Sequence, residues 1–176
     1  MARLPIDDYF LQLAFVASQR GTCARRQVGC VLVNERNQVL STGYNGVPAG
    51  MTHCTDIPCS GATAASGTKL DACEAIHAEQ NALLQCPDIY KVHTIYCTDS
   101  PCMHCIKLLA NTPAKRLVFA RPYPHKAAEQ LWTGLKREWV WHRTFEYPFM
   151  IGARPAVTVE TSPLEAYAAK MGVTLT

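Results

Sequence analysis

Apolar residues recur at helical spacing near the start of the chain. Within residues 7–19, the apolar side chains that share one helical face are Phe10, Leu13, Ala14 and Ala17. Further helices are predicted at residues 72–85, 102–111, 125–137 and 164–171. Short apolar runs typical of strands lie at residues 28–33, 39–42, 92–98, 116–120, 139–145 and 173–175. This alternation predicts an α/β sandwich with mixed strand directions.

Three stretches lack both patterns. Residues 43–50 contain three glycines and a proline, which predicts a loop whose backbone can approach a ligand. Residues 51–71 are small, polar and rich in cysteine, and residues 146–162 contain prolines without a clear period. With no repeat or low-complexity linker in between, we expect residues 1–176 to form one catalytic domain.

Composition narrows the class of protein. Hydrophobic residues make up 48% and charged residues 18% of the chain, which is ordinary for a globular protein. The net charge of +3 is too small to predict a nucleic-acid or membrane partner. No apolar stretch is long enough for a transmembrane helix and no signal peptide is evident, so we expect the cytoplasm of a cell or of a virus-infected host. The nine cysteines then favour metal binding over disulfides.

Two short motifs carry metal-binding and acid–base chemistry. The chain reads His77-Ala78-Glu79 and then Pro101-Cys102-Met103-His104-Cys105, an order that is the signature of zinc-dependent nucleobase deaminases. One imidazole and two thiolates offer zinc three ligands and leave a fourth position for water, whose pKa the metal lowers. Glu79 is then the carboxylate that moves protons. The alternative is a closed zinc knuckle, in which a fourth side chain replaces the water.

Local structure agrees with this chemistry. Ser100 is a suitable N-cap and Pro101 a suitable first helical residue, so Cys102 and Cys105 would share one face of the first turn. The helix N-terminus would favour their thiolate forms. His77 and Glu79 are two positions apart and would point to different sides of an ideal helix, so we expect both at a helix start, where both side chains can reach one cleft.

Three segments together resemble the deoxycytidylate (dCMP) deaminase family. They are Gly43-Tyr44-Asn45-Gly46, the stretch His77-Ala78-Glu79-Gln80-Asn81-Ala82-Leu83, and Ser100-Pro101-Cys102-Met103-His104-Cys105. The zinc motifs are shared by all cytidine-deaminase-like enzymes, whereas the Gly-Tyr-Asn-Gly segment points to the dCMP branch. The resemblance covers about residues 9–123.

This resemblance implies a three-layer α/β/α sandwich with a mixed five-stranded sheet. It implies hydrolysis of dCMP to dUMP and ammonia, which supplies thymidylate synthesis. His77, Cys102 and Cys105 would hold the catalytic zinc, with Glu79 as the proton shuttle. The backbone of Ala78 would recognise the pyrimidine carbonyl, and Asn45 would bind the sugar or base.

The resemblance also implies regulation. Many members of the family are homohexamers that dCTP activates with Mg²⁺ and dTTP inhibits. The regulatory site would lie at or near the loop that contains Gly43, Tyr44, Asn45 and Gly46.

The chain departs from the family pattern in two places. Asp99 and Ser100 stand where an apolar or aromatic residue is expected before the Pro-Cys pair, which makes Ser100 a candidate substrate contact and leaves the pyrimidine preference open. About residues 124–162 are expected to be an insertion. Its Trp132, Trp139 and Trp141 are expected to pack in a core, with a subunit interface or a lid as alternatives.

The remaining cysteines suggest a second metal. Some bacterial and viral relatives carry a structural zinc near the irregular segment, and the candidate ligands here are Cys23, Cys54, Cys59 and Cys73, with His53 as a competitor for one position. Free buried thiols are the alternative. Cys30, Cys86 and Cys97 lie in apolar runs and are predicted to be core residues.

The substrate phosphate needs donors of its own. Arg25 and Arg26 are candidates because a guanidinium matches phosphate, although both could be surface charges. Tyr123 could close over the nucleotide or pack in the core. The expected partners are a free nucleotide and its regulators, without nucleic acid. A 5-modified dCMP, a polynucleotide or tRNA base, and a zinc-binding module without catalysis remain alternatives.

Overall fold

Five strands form one mixed sheet in the computed structural model, which describes residues 3–64, 72–123 and 125–145. The strands are β1 (Gly29–Val33), β2 (Val39–Tyr44), β3 (Thr94–Asp99), β4 (Arg116–Arg121) and β5 (Glu138–Trp141). Their spatial order is β2-β1-β3-β4-β5. β1 pairs antiparallel with β2 and β3, whereas β4 runs parallel to both β3 and β5. The predicted mixed five-stranded sheet is therefore confirmed.

In the described part of the chain, four α-helices cover the two faces of this sheet. They are α1 (Ile6–Ser18), α2 (Ala78–Gln85), α3 (Met103–Leu109) and α4 (Lys126–Gly134), and a short 3-10 helix (Ile89–Lys91) precedes β3. Strand alternation divides the buried side chains, because successive residues point to opposite faces. Cys30 and Leu32 pack with α2, α3 and α4, whereas Val31 and Val33 pack with α1. The result is the predicted three-layer α/β/α arrangement.

Several predicted ends of helices and strands differ from the observed ends by about one helical turn or less. The predicted start of one helix differs by more. The helix predicted from residue 72 begins only at Ala78, because residues 73–77 are not helical and Ile76 bridges to Gly46. β2 continues through Gly43 and Tyr44, which were predicted to be loop. The register of β1 and β2 explains this difference, since Gly29 pairs with Tyr44 and Cys30 with Gly43.

Part of the stretch predicted as an insertion belongs to the sheet. Residues 126–134 form α4 and residues 138–141 form β5, the outer strand beside β4. Trp132 is fully buried and donates from Nε1 to the carbonyl of Glu138 at 2.9 Å. Core packing is therefore confirmed for this tryptophan. Residues 124 and 146–162 of the stretch, the helix predicted at residues 164–171 and the strand predicted at 173–175 lie outside the described residues.

Within the described ranges, no helix has the length and apolar character needed to cross a membrane.

One ion pair connects α1 to the start of two strands. Asp7 accepts two hydrogen bonds from Arg116, at 2.6 and 2.7 Å, and a third from the hydroxyl of Tyr96 at 2.8 Å. The paired side chains are mostly buried, with 21% of Asp7 and 26% of Arg116 exposed. A bidentate pair in this setting stabilises the fold more than a surface pair does.

Replacing this carboxylate should lower stability and weaken its acid dependence. Hydrogen bonds from Arg116 hold the pKa of Asp7 below its usual range. Its contribution to stability is therefore present above the unfolded pKa and lost as pH falls through the lower folded value. We expect Asp7→Asn to reduce the free energy of unfolding at pH 7 by about 2 kcal/mol.

Urea unfolding at several pH values tests this expectation. Below about pH 4, the difference between the parent and Asp7→Asn should shrink. Asp88→Asn is the control, because its pair with Lys91 is exposed and should be worth no more than about 0.5 kcal/mol. Equal losses in the two variants would contradict the prediction.

Candidate active site

Three metal-binding side chains meet where α2 and α3 begin. His77 is the N-cap of α2, Cys102 is the N-cap of α3, and Cys105 lies in the first turn of α3. The Nδ1 atom of His77 lies 3.5 Å from Sγ of Cys102 and 3.3 Å from Sγ of Cys105. Among the described residues, this is the one group of three or more potential ligands whose donor atoms all lie within 4.8 Å of one another.

This cluster fits a tetrahedral zinc ion. Typical bonds of about 2.3 Å to sulfur and about 2.0 Å to nitrogen place neighbouring tetrahedral ligands roughly 3.5 Å apart. The observed nitrogen–sulfur separations of 3.3 and 3.5 Å agree with that geometry. His77, Cys102 and Cys105 would therefore hold the metal. The donor set leaves one tetrahedral position unfilled by these three residues, as a catalytic zinc site requires.

The local structure around Cys102 differs from the prediction. Ser100 is not the N-cap of α3, and Pro101 is not its first helical residue, because the helix begins at Met103. Ser100 instead accepts a hydrogen bond from the backbone N–H of Tyr123 at 2.6 Å. Its own N–H donates to the carbonyl of Arg121 at 2.9 Å, so Ser100 joins the ends of β3 and β4. Cys102 replaces it as the residue that precedes the helix.

Glu79 is the buried carboxylate of this site. It lies in the first turn of α2, and only 4% of its surface is exposed. Burial raises the pKa of Glu79 to about 7, although the positive charge of His77 opposes this shift. A carboxyl group with a pKa near neutrality can both accept and return a proton at physiological pH.

Hydrogen bonds within the cluster shift the pKa values of His77 and Cys102 in the absence of a metal ion. A hydrogen bond with Cys102 raises the pKa of His77 to about 9. Hydrogen bonds from Cys105 and His77 lower the pKa of Cys102 to about 3. Thiolates are the form of cysteine that binds metals, and the lowered pKa of Cys102 favours this form.

A cavity of about 370 Å³ opens in front of this cluster. Most of the residues predicted to form the site line it: Cys23, Arg25, Arg26, Asn45, Cys73, His77, Ala78, Glu79, Ser100, Cys102 and Tyr123. Cys105 lies behind the cavity wall and is fully buried. The cavity volume falls within the range of small-molecule sites.

The side chain of Asn45 forms hydrogen bonds with the backbone of two residues in the wall of the cleft. Its Oδ1 accepts from the backbone N–H of Val28 at 2.8 Å, and its Nδ2 donates to the carbonyl of Arg26 at 2.7 Å. These bonds fix the backbone on which Arg26 stands. The predicted contact between Asn45 and the sugar or base stays a prediction.

The rest of the Gly-Tyr-Asn-Gly segment supports the cleft from behind. A Cβ atom at Gly43 would overlap the carbonyl oxygen of Ala78 and the backbone of Ala82, so glycine permits α2 to lie against β2. The carbonyl of Tyr44 accepts from Asn81 at 2.8 Å, and Gly46 pairs with Ile76 through backbone hydrogen bonds. The role of this segment in regulation stays a prediction.

An acidic residue at the end of β3 joins the site through two arginines. Asp99 pairs with Arg26 and Arg121, each at 2.7 Å. Asp99 is recognisable from the sequence as a departure from the family pattern, but its partners are not. The signal was the parallel register, which pairs Asp99 with Arg121, but the predicted fourth strand ended one residue too early.

The other cysteines are only partly brought together. Cys23 is hydrogen-bonded by the Cys73 thiol and by the backbone N–H groups of Arg25 and Arg26, which lowers the pKa of Cys23 to about 6. The backbone of Gly61, two residues after Cys59, donates to the carbonyl of Ala72 at 3.0 Å. Cys54 and Cys59 are buried, whereas His53 is exposed. As predicted, Cys30 and Cys97 are fully buried, and Cys86 is half-buried against the same core.

Comparison with known proteins agrees with this site. Residues 5–121 match the family model described as the cytidine and deoxycytidylate deaminase zinc-binding region. A deoxycytidylate deaminase of Mycobacterium phage D29 is 40% identical over 128 residues, which cover 69% of this chain and 98% of the phage protein. A deoxycytidylate deaminase of Schizosaccharomyces pombe is 39% identical over 121 residues, or 66% of this chain, but the match spans only 37% of the yeast protein.

A solved structure shares the fold over most of both chains. The dCMP deaminase of the cyanophage S-TIM5, in complex with dCMP and dUMP, superposes with a TM-score of 0.63 and 25% sequence identity. The match covers 78% of this chain and 97% of the cyanophage chain. The family match includes the cluster of His77, Cys102 and Cys105 and also Glu79 in the same cavity. This chain therefore belongs to the cytidine and deoxycytidylate deaminase family.

Proposed function

We propose that this chain catalyses the zinc-dependent hydrolysis of dCMP to dUMP and ammonia. The observation that carries the proposal is the buried carboxyl group of Glu79 in the same cavity as His77 and Cys102, with Cys105 completing the ligand set. Relatives named deoxycytidylate deaminase support the choice of nucleotide. A zinc ion at these three residues would supply the Lewis acidity that activates water for attack on the pyrimidine ring.

Glu79 would transfer the protons of this reaction. Its carboxylate accepts a proton from the attacking water and donates it to N3 of the base. Glu79 then moves the proton of the hydroxyl group added at C4 to the exocyclic amine, which leaves as ammonia when the C4–N bond breaks and the C4 carbonyl of dUMP forms. The pKa of about 7 suits both directions, because neither form of Glu79 is strongly disfavoured near neutral pH.

The cleft mouth offers groups for the remainder of the nucleotide. Arg25, Arg26 and Tyr123 line the same cavity as Glu79, and we assign the two arginines to the 5′-phosphate. The guanidinium carbon of Arg26 lies 5.5 Å from the centre of the Tyr123 ring. Ala78 lies fully buried at the start of α2, where its backbone would face the pyrimidine carbonyl.

We also propose how the enzyme is regulated, how it assembles and which pathway it supplies. The proposals include its location in the cell. They are activation by dCTP with Mg²⁺, inhibition by dTTP, a homohexameric assembly, and supply of dUMP for thymidylate synthesis in the cytoplasm of a cell or infected host. They are supported by the match of Gly43, Tyr44, Asn45 and Gly46 to the family pattern. In activity assays, added dCTP and dTTP should change the rate in opposite directions.

A second, structural zinc is also proposed at Cys23, Cys54, Cys59 and Cys73. The low pKa of Cys23 gives one thiolate ligand, and the hydrogen bond from Cys73 places a second sulfur beside it. Hydrogen bonds of Ser60 and Gly61 to the carbonyl of Ala72 bring the segment after Cys59 close to Cys73. The exposure of His53 favours the cysteines over this histidine.

Activity on free nucleotides tests the proposed reaction. The purified chain should release ammonia from dCMP, and Glu79→Gln should reduce kcat by at least about a thousandfold, because it removes the proton carrier but keeps the side-chain shape. The variant should retain its catalytic zinc, since Glu79 is not among the three ligands.

The same assay separates the competing substrates. It should include 5-methyl-dCMP, 5-hydroxymethyl-dCMP, CMP, deoxycytidine and dCTP, followed by single-stranded oligonucleotides and tRNA. Turnover of a 5-modified nucleotide in preference to dCMP would shift the substrate but keep the chemistry. Activity on a polymer alone would contradict the proposal.

Metal analysis by mass spectrometry tests the second zinc. We expect two zinc ions per chain, and Cys54→Ser should lose one of them because a tetrahedral site needs all four ligands. Cys86→Ser is the matched control, since this cysteine packs against the core and belongs to neither proposed site. One zinc ion in the parent chain would disprove the second site.

A further inference from the structure

A single buried carboxylate orders two arginines at the edge of the cleft. Asp99 lies at the end of β3 with 5% of its side chain exposed. Its Oδ1 accepts from Nη1 of Arg26 at 2.7 Å, and its Oδ2 accepts from Nη2 of Arg121 at 2.7 Å. The two guanidiniums therefore occupy opposite oxygens of one carboxylate.

The orientation of Asp99 is set by the sheet. The parallel register of β3 and β4 places Asp99 beside Arg121. The hydroxyl of Thr98 donates to Oδ2 of Asp99 at 3.0 Å and accepts the backbone N–H of Gly29 at 3.1 Å. A carboxylate with these contacts cannot turn freely, so the arginine that pairs with its other oxygen is held in one direction.

Arg26 is held from three sides. Asp99 pairs with its guanidinium, Asn45 donates to its carbonyl at 2.7 Å, and the Tyr123 ring lies 5.5 Å from its guanidinium carbon. Its side chain is nevertheless 39% exposed and lines the cavity that contains Glu79. A guanidinium carries five N–H donors in a planar fork, so pairing with one carboxylate does not prevent it from binding a second anion.

We propose that Asp99 is a positioning residue, which holds Arg26 in the direction needed to bind the 5′-phosphate of the nucleotide. The inference rests on the proposed function and deepens it, because it explains how the cleft distinguishes a nucleotide from a nucleoside. Asp99 does not touch the reacting atoms in this scheme. It acts through Arg26, and Arg121 occupies the other oxygen of the carboxylate.

This role should affect binding more than the chemical step. The phosphate is remote from the carbon that is attacked, so its contacts are the same in the ground state and the transition state. Loss of such a uniform contact raises KM and leaves kcat nearly unchanged. Deoxycytidine has no phosphate, and its KM should not depend on Asp99.

An opposing electrostatic effect has to be weighed to decide whether removing Asp99 raises or lowers the KM for dCMP. A carboxylate near a phosphate repels it, so removing Asp99 could instead tighten binding. That repulsion is offset in this structure by the two guanidiniums bound to the carboxylate. We therefore expect the loss of order at Arg26 to outweigh the relief of repulsion.

The test is the substitution Asp99→Asn, which keeps the size of the side chain and removes its charge. The KM for dCMP should rise about tenfold, the loss expected for one charge-assisted hydrogen bond. The kcat on dCMP and the KM for deoxycytidine should both stay within about twofold. Asp7→Asn is the matched control, since it breaks an arginine pair at the opposite end of β3 and β4 and should leave the KM for dCMP unchanged.

A double-mutant cycle shows whether Asp99 acts through Arg26. Arg26→Gln alone should raise the KM for dCMP by about the same factor as Asp99→Asn. Once Arg26 is replaced, adding Asp99→Asn should have no further effect. Multiplication of the two effects in the double variant would overturn the coupling.

The outcomes separate this inference from the proposed function. A parent chain that does not deaminate dCMP refutes the proposed function, whatever Asp99 does. If the parent is active, a lower KM or an unchanged KM for dCMP in Asp99→Asn overturns the positioning role. An equal rise in KM for dCMP and deoxycytidine also overturns it. Should circular dichroism show that Asp99→Asn is unfolded, the partly exposed Arg26→Gln carries the test, and an unchanged KM for dCMP then overturns the inference.

Discussion

The close packing of α2 against β2 is the constraint on which the site depends. Gly43 leaves room for the backbone of Ala78, and two hydrogen bonds fix the helix from β2. The hydroxyl of Ser41 donates to the carbonyl of Ala82 at 2.7 Å, and Asn81 donates to the carbonyl of Tyr44 at 2.8 Å. His77 and Glu79 lie at the start of this helix, so any side chain at Gly43 would displace the proposed metal ligand and the proposed proton carrier together.

Burial of Glu79 gives the site its chemistry. Desolvation disfavours the charged carboxylate, whereas the positive charge of His77 favours it. The first effect is larger, and the resulting pKa of about 7 is suited to transferring a proton in both directions. The same packing that positions Glu79 therefore also sets its acidity, because α2 can exclude water only when it lies close to the sheet.

The chemistry of the site could be predicted from sequence, but its supports could not. His77, Glu79, Cys102 and Cys105 were identifiable because metal ligands and a proton carrier require particular residue types at particular spacings. Helix starts were less predictable, since residues 72–77 contain no proline and no strong break in pattern. Ile76 instead bridges to Gly46, a contact between distant parts of the chain, and the helix begins only after it.

Pairing between side chains was hardest to foresee. Asp99 was noticeable as a departure from the family pattern, yet its partners depend on strand register and on a loop far away in sequence. The second group of cysteines illustrates the reverse case. Their spacing suggested a metal site, whereas among the described residues the structure brings Cys23 and Cys73 into contact without gathering three of these sulfurs within 4.8 Å of one another.

The mouth of the cleft also depends on the outer strand of the sheet. Trp141 in β5 donates from Nε1 to the carbonyl of Ala120 at 3.1 Å, and Trp132 in α4 donates to the start of β5. These bonds hold the end of β4, from which Arg121 reaches Asp99 and after which Tyr123 reaches Ser100. The α4–β5 unit is therefore part of the support for the end of the cleft that we assign to the phosphate, whereas α2 and α3 support the end that we assign to the metal. Because different elements support the two ends, we expect substitutions to alter nucleotide recognition and proton transfer separately.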